Sequence, residues 1–167
     1  MRNWLITGVL AIIFVIFYIQ RTNTVGDFNE NRKIGTEFLQ QNALKDGVIT
    51  TDTGMQYKVL SRGTGTVRPK PDSNVTVNYQ GKLVDGTIFD SSFDKKPVSF
   101  VLNETISGWK EGMQLMREGD KFRFFIPSTL GYGDRDVGEI PAGSLLVFDV
   151  ELITINNMDV NEGMPTK

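Results

Sequence analysis

Histidine and cysteine are both absent from the 167 residues, which removes the side chains that most nucleophilic and metal-dependent enzymes use. Ser-His-Asp and Cys-His nucleophiles, thiol redox chemistry, zinc fingers and iron–sulfur sites are therefore excluded. Few catalytic classes remain open to a chain whose reactive side chains are carboxylates, hydroxyls, amines and aromatic rings.

The charge balance argues against nucleic acid as a partner. Lys and Arg number 18 against 20 Asp and Glu, so the net charge is -2. Binding to a phosphate backbone requires a basic excess that this chain lacks. Its length, with 40% hydrophobic residues, is sufficient for one globular domain and short for two.

After Gly47 the sequence alternates between apolar and polar residues and is interrupted by Gly and Pro, which predicts a largely antiparallel sheet. The predicted strands cover residues 55–60, 75–80, 98–102, 121–127 and 145–155. One amphipathic helix interrupts them, because Ile106, Trp109, Met113 and Met116 recur at steps of three and four residues. The predicted fold class is α+β, with about five antiparallel strands wrapped around one short helix.

Residues 4–19 form an uncharged apolar run between Arg2 and Arg21, which predicts a membrane anchor. At 1.5 Å per residue the run covers about 24 Å, so it needs its flanking residues to cross a bilayer core of ~30 Å. The alternative is a secretory signal that is cleaved near residues 24–26, Thr-Val-Gly. Under either interpretation the rest of the chain is exported. A buried core helix of the globular domain is the third interpretation, but an apolar run this near the terminus has nothing to pack inside.

A polar tether, residues 20–28, leads into a second predicted helix. Asp27 or Asn29 can cap its start, and it runs to residue 45 or 46, with Gly47 ending it in the left-handed region. We expect this helix to be exposed, as a spacer between membrane and domain or as a dimerisation helix.

The apolar residues of this linker helix make only a partial stripe, and Gly35 within it costs about 1 kcal/mol relative to alanine. The stripe consists of Ile34, Phe38, Leu39, Ala43 and Leu44. The chain thus divides into an anchor or signal (1–20), a tether with a short helix (21–48), a globular domain (49–156) and a flexible tail (157–167).

Several separate motifs of the globular domain resemble the FKBP-type peptidyl-prolyl isomerases in order, spacing and residue type. They are VTVNYQGKLVDGTIFDSS, ISGWKEGMQLMREGDKFRFFIP, LGYG and IPAGSLLVFDVELITI. The resemblance covers residues 49–156. The preceding NRKIGTEFLQQNALKDGVITTDTGMQYKVL is similar to the entry segment of the bacterial macrophage-infectivity-potentiator-like branch, whose longer dimerisation domain we expect to be missing here.

This resemblance implies a substrate pocket with aromatic walls. The rings are Tyr79, Phe89, Trp109 as the floor, Tyr132 and Phe148, and Val98, Thr105, Ile106 and Ile140 complete the lining. From the pattern of residues alone, core packing explains Trp109 equally well, and sheet packing explains Tyr79.

The resemblance also implies catalytic roles for Asp90 and Tyr132. A carboxylate at Asp90 would orient the tyrosines of the pocket, although Asp90 could instead cap the turn formed with Ser91 and Ser92. The Tyr132 hydroxyl would bond a substrate carbonyl, and the main-chain N–H of Ile106 would bond a second one.

The implied activity is isomerisation of X-Pro bonds in exported polypeptides, without metal or cofactor. We expect an inner-membrane protein with its isomerase domain in the bacterial periplasm, or a soluble periplasmic protein after cleavage. Macrolides of the tacrolimus or rapamycin type are expected ligands, bound less tightly because of the charged segment 134–139. Thr105 and Val98 make the pocket rim less apolar and are expected to slow turnover. The alternatives are a proline-binding holdase or adaptor with little turnover, or a binder of small apolar ligands.

Overall fold

The computed structural model describes residues 28–156. The predicted membrane segment at residues 4–19, the cleavage site, most of the tether and the tail at residues 157–167 lie outside the described residues. Within residues 28–156, no helix is long and apolar enough to cross a bilayer.

Seven strands form one antiparallel sheet in the described part of the chain. They are β1 (Val48–Thr50), β2 (Gln56–Ser61), β3 (Asn74–Lys82), β4 (Ile88–Ser91), β5 (Val98–Val101), β6 (Lys121–Ile126) and β7 (Leu146–Asn156). The order is β1-β2-β6-β7-β3-β4, and β5 also pairs with β3. The predicted α+β class is confirmed, and the sheet has two strands, β1 and β4, beyond the five that the sequence pattern predicted.

β4 and β5 lie along the same edge of β3 because each covers a different part of it. Residues Asn74 to Val77 of β3 pair with β5, whereas Gln80 to Lys82 pair with β4. A shift in register at Gly81 and Lys82 bends the β4 pairing locally. Side chains from three strands therefore meet at one edge of the sheet.

The predicted amphipathic helix is present as α2 (Ser107–Met113), and it covers the inner face of the sheet as expected. Trp109 and Met113 are buried in the main core. Glycine allows this close packing, because a Cβ at Gly112 would lie 2.7 Å from Cε1 of Phe124. The short helix thus rests directly on β6.

A second helix, α1 (28–42), precedes the sheet; most of its residues are exposed, as predicted, but one face packs against the sheet. The ring of Phe38 lies 5.8 Å from that of Phe125 on the outer face of the sheet. Asn42 is buried and donates a hydrogen bond from Nδ2 to Oε1 of Gln56 over 2.9 Å. The predicted left-handed residue Gly47 is confirmed, with φ of 75°.

The buried face of α1 differs from the predicted apolar stripe. Ile34 is 43% exposed and Leu44 is 88% exposed, whereas Gly35 is buried. A Cβ at Gly35 would lie 3.0 Å from Cβ of Leu145, so the absence of a side chain brings the helix close to the loop before β7. The glycine that lowers helix propensity is therefore also a contact point.

Candidate active site

A cavity of about 350 Å³ opens where β3, β4 and β5 meet the start of α2. All ten residues that the sequence identified as site candidates line it: Tyr79, Phe89, Asp90, Val98, Thr105, Ile106, Trp109, Tyr132, Ile140 and Phe148. Four further residues also line it: Phe100, Val137, Gly138 and Glu139. The structure therefore brings the candidates together around one cavity.

Trp109 forms the floor of the cavity and meets three other rings edge to face. Its ring centroid lies 5.4 Å from that of Tyr79, at an interplanar angle of 87°. Phe148 lies 5.2 Å away at 89°, and Phe100 lies 5.3 Å away at 62°. Edge-to-face pairs at these distances are favourable beyond the area they bury. The floor is consequently held from three sides in one orientation.

Phe89 extends the aromatic wall, with its ring 5.5 Å from that of Phe148 at 84°. Gly81 makes room for this pair, because a Cβ there would lie 2.5 Å from Cε2 of Phe89 and 2.7 Å from Cε1 of Phe148. Any larger residue at position 81 would displace one of the two rings.

Asp90 and Tyr79 interact at the mouth of the cavity. The Tyr79 hydroxyl donates a hydrogen bond to Oδ2 of Asp90, and Oδ1 accepts one from the N–H of Ser91 over 2.9 Å. Burial, together with the bond to Asp90, raises the pKa of Tyr79 above its ordinary value. The side chain of Asp90 is 47% exposed, and Nζ of Lys95 lies 4.0 Å from Oδ1. The carboxylate thus remains open to solvent while it orients a pocket tyrosine.

Tyr132 begins a loop, residues 132–143, that forms one side of the cavity. It follows a 3₁₀ turn, Ser128–Leu130, and precedes Gly133, which has φ of 65° and donates its N–H to the Ser128 carbonyl over 2.8 Å. Ile140, 6% exposed, exchanges two main-chain hydrogen bonds with Val137. The loop therefore presents Tyr132 at one end and Ile140 towards the other.

Ile106 is the N-terminal cap of α2, with φ of -62° and ψ of 153°. Its carbonyl accepts hydrogen bonds from the N–H groups of Trp109 and Lys110, at 3.0 and 3.1 Å. Among the described residues, none accepts a hydrogen bond from the Ile106 N–H. At Thr105 the hydroxyl is engaged, because it donates to the Leu102 carbonyl over 2.7 Å.

Sequence reasoning missed Phe100 as a pocket residue, although a signal was present. Phe100 lies two residues after Val98 on β5, and alternate residues of a strand share one face. The segment 134–139 was expected to overhang the cleft, and Val137, Gly138 and Glu139 do line the cavity. Among residues 28–156, no group of three or more acidic side chains is arranged to hold a metal ion.

Comparison with known families identifies the domain that carries this cavity. Residues 65–153 match the family described as FKBP-type peptidyl-prolyl cis-trans isomerase, and this match covers more than half of the chain. The chain belongs to the FKBP-type peptidyl-prolyl isomerase family. Residues 18–59 match the domain that lies amino-terminal to such isomerases, in agreement with the FKBP-like entry segment.

Individual FKBP-type proteins support the same assignment. FkpA of Aeromonas hydrophila is 53% identical over 130 residues, which are 77% of this chain and 48% of that protein. The outer membrane protein MIP of Legionella longbeachae is 41% identical over 128 residues, 75% of this chain and 54% of that protein. The crystal structure of FkpA from Escherichia coli superposes with a TM-score of 0.87 at 35% identity, over 93% of this chain and 73% of that one.

The chain spans about half the length of these curated FKBP-type relatives. The prediction that it is a member of the FKBP family in the macrophage-infectivity-potentiator-like branch is confirmed by these matches.

Proposed function

We propose that this protein is a peptidyl-prolyl cis-trans isomerase that acts on proline-containing segments of other polypeptides. The observation that carries the proposal is the cavity itself: an aromatic lining with the Asp90 carboxylate bonded to one of its rings, Tyr79. Its volume of about 350 Å³ suits a prolyl ring with parts of its neighbours. The family to which the chain belongs supports the same activity.

Isomerisation requires no nucleophile, which fits a chain without histidine or cysteine. Rotation about an amide breaks its conjugation against a barrier of about 18–20 kcal/mol, and uncatalysed X-Pro exchange takes ~10–100 s. The twisted amide has less charge separation than the planar one. An apolar cavity poor in water therefore stabilises the twisted form relative to the planar form, which water solvates better.

In this proposal Trp109, Phe148 and Phe89 surround the prolyl ring and exclude water. Asp90 holds the Tyr79 hydroxyl in place and lies near the carbonyl of the rotating bond. Contacts that position a substrate in a reactive geometry lower the barrier by fixing its orientation in advance.

Two donors are proposed to bind carbonyl groups on either side of the proline. The Ile106 N–H, which bonds no described acceptor, donates to one, and the Tyr132 hydroxyl donates to the other. The remaining site candidates, Val98, Thr105 and Ile140, complete the lining and exclude water. Two carbonyl contacts hold the chain on both sides of the bond that rotates.

We also propose that the protein is exported and that residues 4–19 hold it at the inner membrane, with the isomerase domain in the periplasm. The apolar run between two arginines supports the membrane anchor. The name of the Legionella relative, an outer membrane protein, supports export alone. N-terminal sequencing of the protein from membrane and soluble fractions tests it. An intact Met1 in the membrane fraction is expected, whereas a start near residue 26 would show a cleaved signal.

The activity is tested by exchange NMR on a tetrapeptide containing Leu-Pro, with the full-length chain added in catalytic amounts. We expect faster cis-trans exchange than the thermal rate, and inhibition by tacrolimus or rapamycin. Tyr132→Phe should lower kcat/KM with no change of fold. Binding of the peptide without acceleration would instead identify a proline-binding holdase or adaptor.

A further inference from the structure

Helix α1 contacts the loop that forms one side of the cavity. Nδ2 of Asn31 donates a hydrogen bond to the carbonyl oxygen of Ala142 over 2.9 Å. The main chains also approach closely, since a Cβ at Gly143 would lie 2.4 Å from the carbonyl oxygen of Phe28 and 3.2 Å from Cγ of Arg32. Gly143 has φ of +79°, a conformation that also favours glycine. The first turns of α1 therefore rest on residues 142 and 143.

Gly143 in turn connects to the residue beside Tyr132. Its N–H donates to the carbonyl of Gly133 over 2.8 Å, so the two ends of the loop 132–143 are joined by a main-chain hydrogen bond. A displacement of residue 143 by the helix is thus transmitted to the backbone directly after Tyr132.

Ala142 connects the helix to the other cavity residue of the loop. Its N–H donates to Oδ1 of Asp136 over 2.8 Å, and it lies two residues after Ile140, which lines the cavity. The segment between these contacts, residues 134–139, is exposed. The conformation of the loop therefore depends on the contacts near its two ends. Asn31 bonds directly to Ala142, near the second end.

We propose that α1 sets the geometry of the active-site loop and that Asn31 is a positioning residue for Tyr132 and Ile140. The expected effect on kcat/KM rests on the proposed isomerase function. Asn31 acts through the loop and does not line the cavity, and the relevant contact is one hydrogen bond to Ala142.

The test compares the same substitution at the two ends of α1, in the full-length chain. Asn31→Asp keeps the size of the side chain but removes the donor to Ala142 and places a carboxylate against its carbonyl. Asn42→Asp makes the same change at the buried end, where the partner is Gln56, away from the loop. Readouts are the melting temperature, kcat/KM on the Leu-Pro tetrapeptide and the NMR resonance of the Ile140 δ1 methyl group.

We expect Asn31→Asp to lower kcat/KM about threefold to tenfold, since small displacements of positioning groups have effects of this order or larger. The Ile140 methyl resonance should shift, because the ring currents around it change with its position. Asn42→Asp should lower the melting temperature more, because Asn42 is 2% exposed, and leave the Ile140 resonance and kcat/KM unchanged.

Equal loss of kcat/KM in the two variants, or an unshifted Ile140 resonance in Asn31→Asp, would overturn the proposal. If Asn31→Asp fails to fold, Asn31→Ala removes the donor without adding charge and allows the same comparison. The methyl resonance is recorded without substrate, so it tests the coupling even if the wild-type chain proves inactive, an outcome that would reject the proposed function alone.

Discussion

The hydroxyl of Tyr79 donates a hydrogen bond to Oδ2 of Asp90, while Oδ1 of the same carboxylate accepts the N–H of the following residue, Ser91. The carboxylate thus bonds both a side chain that lines the cavity and the backbone of its own turn, so the turn contact does not preclude the proposed role in the pocket. Substitutions at Asp90 must therefore be interpreted with the turn in mind.

Asp90→Leu should lower kcat/KM about fivefold, because loss of one partly exposed hydrogen bond to a charged group is worth about 1 kcal/mol. Its fold should persist, since the side chain is 47% exposed. The matched control is Asp94→Leu in the turn after β4, which removes a carboxylate outside the cavity. Peptide exchange rates and circular dichroism of both variants provide the check, and a wild-type rate for Asp90→Leu would reject its assigned role.

Tyr79 predicts a pH dependence of stability in alkaline solution. Its pKa is raised in the folded state, chiefly by burial and then by the bond to Asp90, so the folded protein retains a proton that the unfolded chain releases. The free energy of unfolding should therefore fall as the pH rises above about 10, by at most ~1.4 kcal/mol per pH unit and less for a partly exposed ring.

Urea unfolding of wild type and Tyr79→Phe between pH 8 and pH 11 measures this effect, over about two pH units below and one above the ordinary tyrosine pKa. The difference between the two profiles of unfolding free energy against pH isolates Tyr79, because the lysines that titrate in the same pH range are present in both proteins. Parallel pH profiles would contradict the assignment.

Trp109→Ala should destabilise the domain as well as the site, because truncating a buried aromatic costs about 3–5 kcal/mol. Trp109 is 6% exposed and contacts three rings, whereas Phe93 is 50% exposed. Phe93→Ala is therefore the control, with an expected change within about 0.5 kcal/mol. Equal unfolding free energies for the two variants would show that Trp109 is not part of the core.

Gly81→Ala should lower kcat/KM, since the added methyl group must displace Phe89 or Phe148. Overpacking of this kind costs about 1–3 kcal/mol of stability. Gly65→Ala introduces a comparable clash, 2.7 Å from the main-chain nitrogen of Glu118, away from the cavity. We expect both variants to lose stability and Gly81→Ala alone to lose activity at a temperature where both are folded.

Period-two alternation was sufficient to predict the long strands, and the motifs identified the lining of the cavity. Alternation failed for β1 and β4 because their apolar residues are adjacent, Val48 with Ile49 and Ile88 with Phe89. The equally short β5 does alternate, as Val98, Ser99 and Phe100. Phe89 and Asp90 were therefore recognised as candidates while their strand was not.

The position of α1 could not be read from its apolar residues. Its contact face includes Gly35 and Asn42 beside the partly buried Phe38 and Leu39, and a glycine and an amide carry no hydrophobic signal. Gly35 packs against Leu145, which lies far along the chain, and Asn42 bonds Gln56 on β2. Only the three-dimensional arrangement joins these residues.

The floor of the cavity is an indole, and the chain has one other, Trp4, within the predicted membrane run. A Trp4→Phe chain would carry a single tryptophan, Trp109, which lines the cavity. Binding of peptides and macrolides to the wild-type loop and to its variants can then be compared from the emission of that one indole. The measurement needs no added label and no protease-coupled assay.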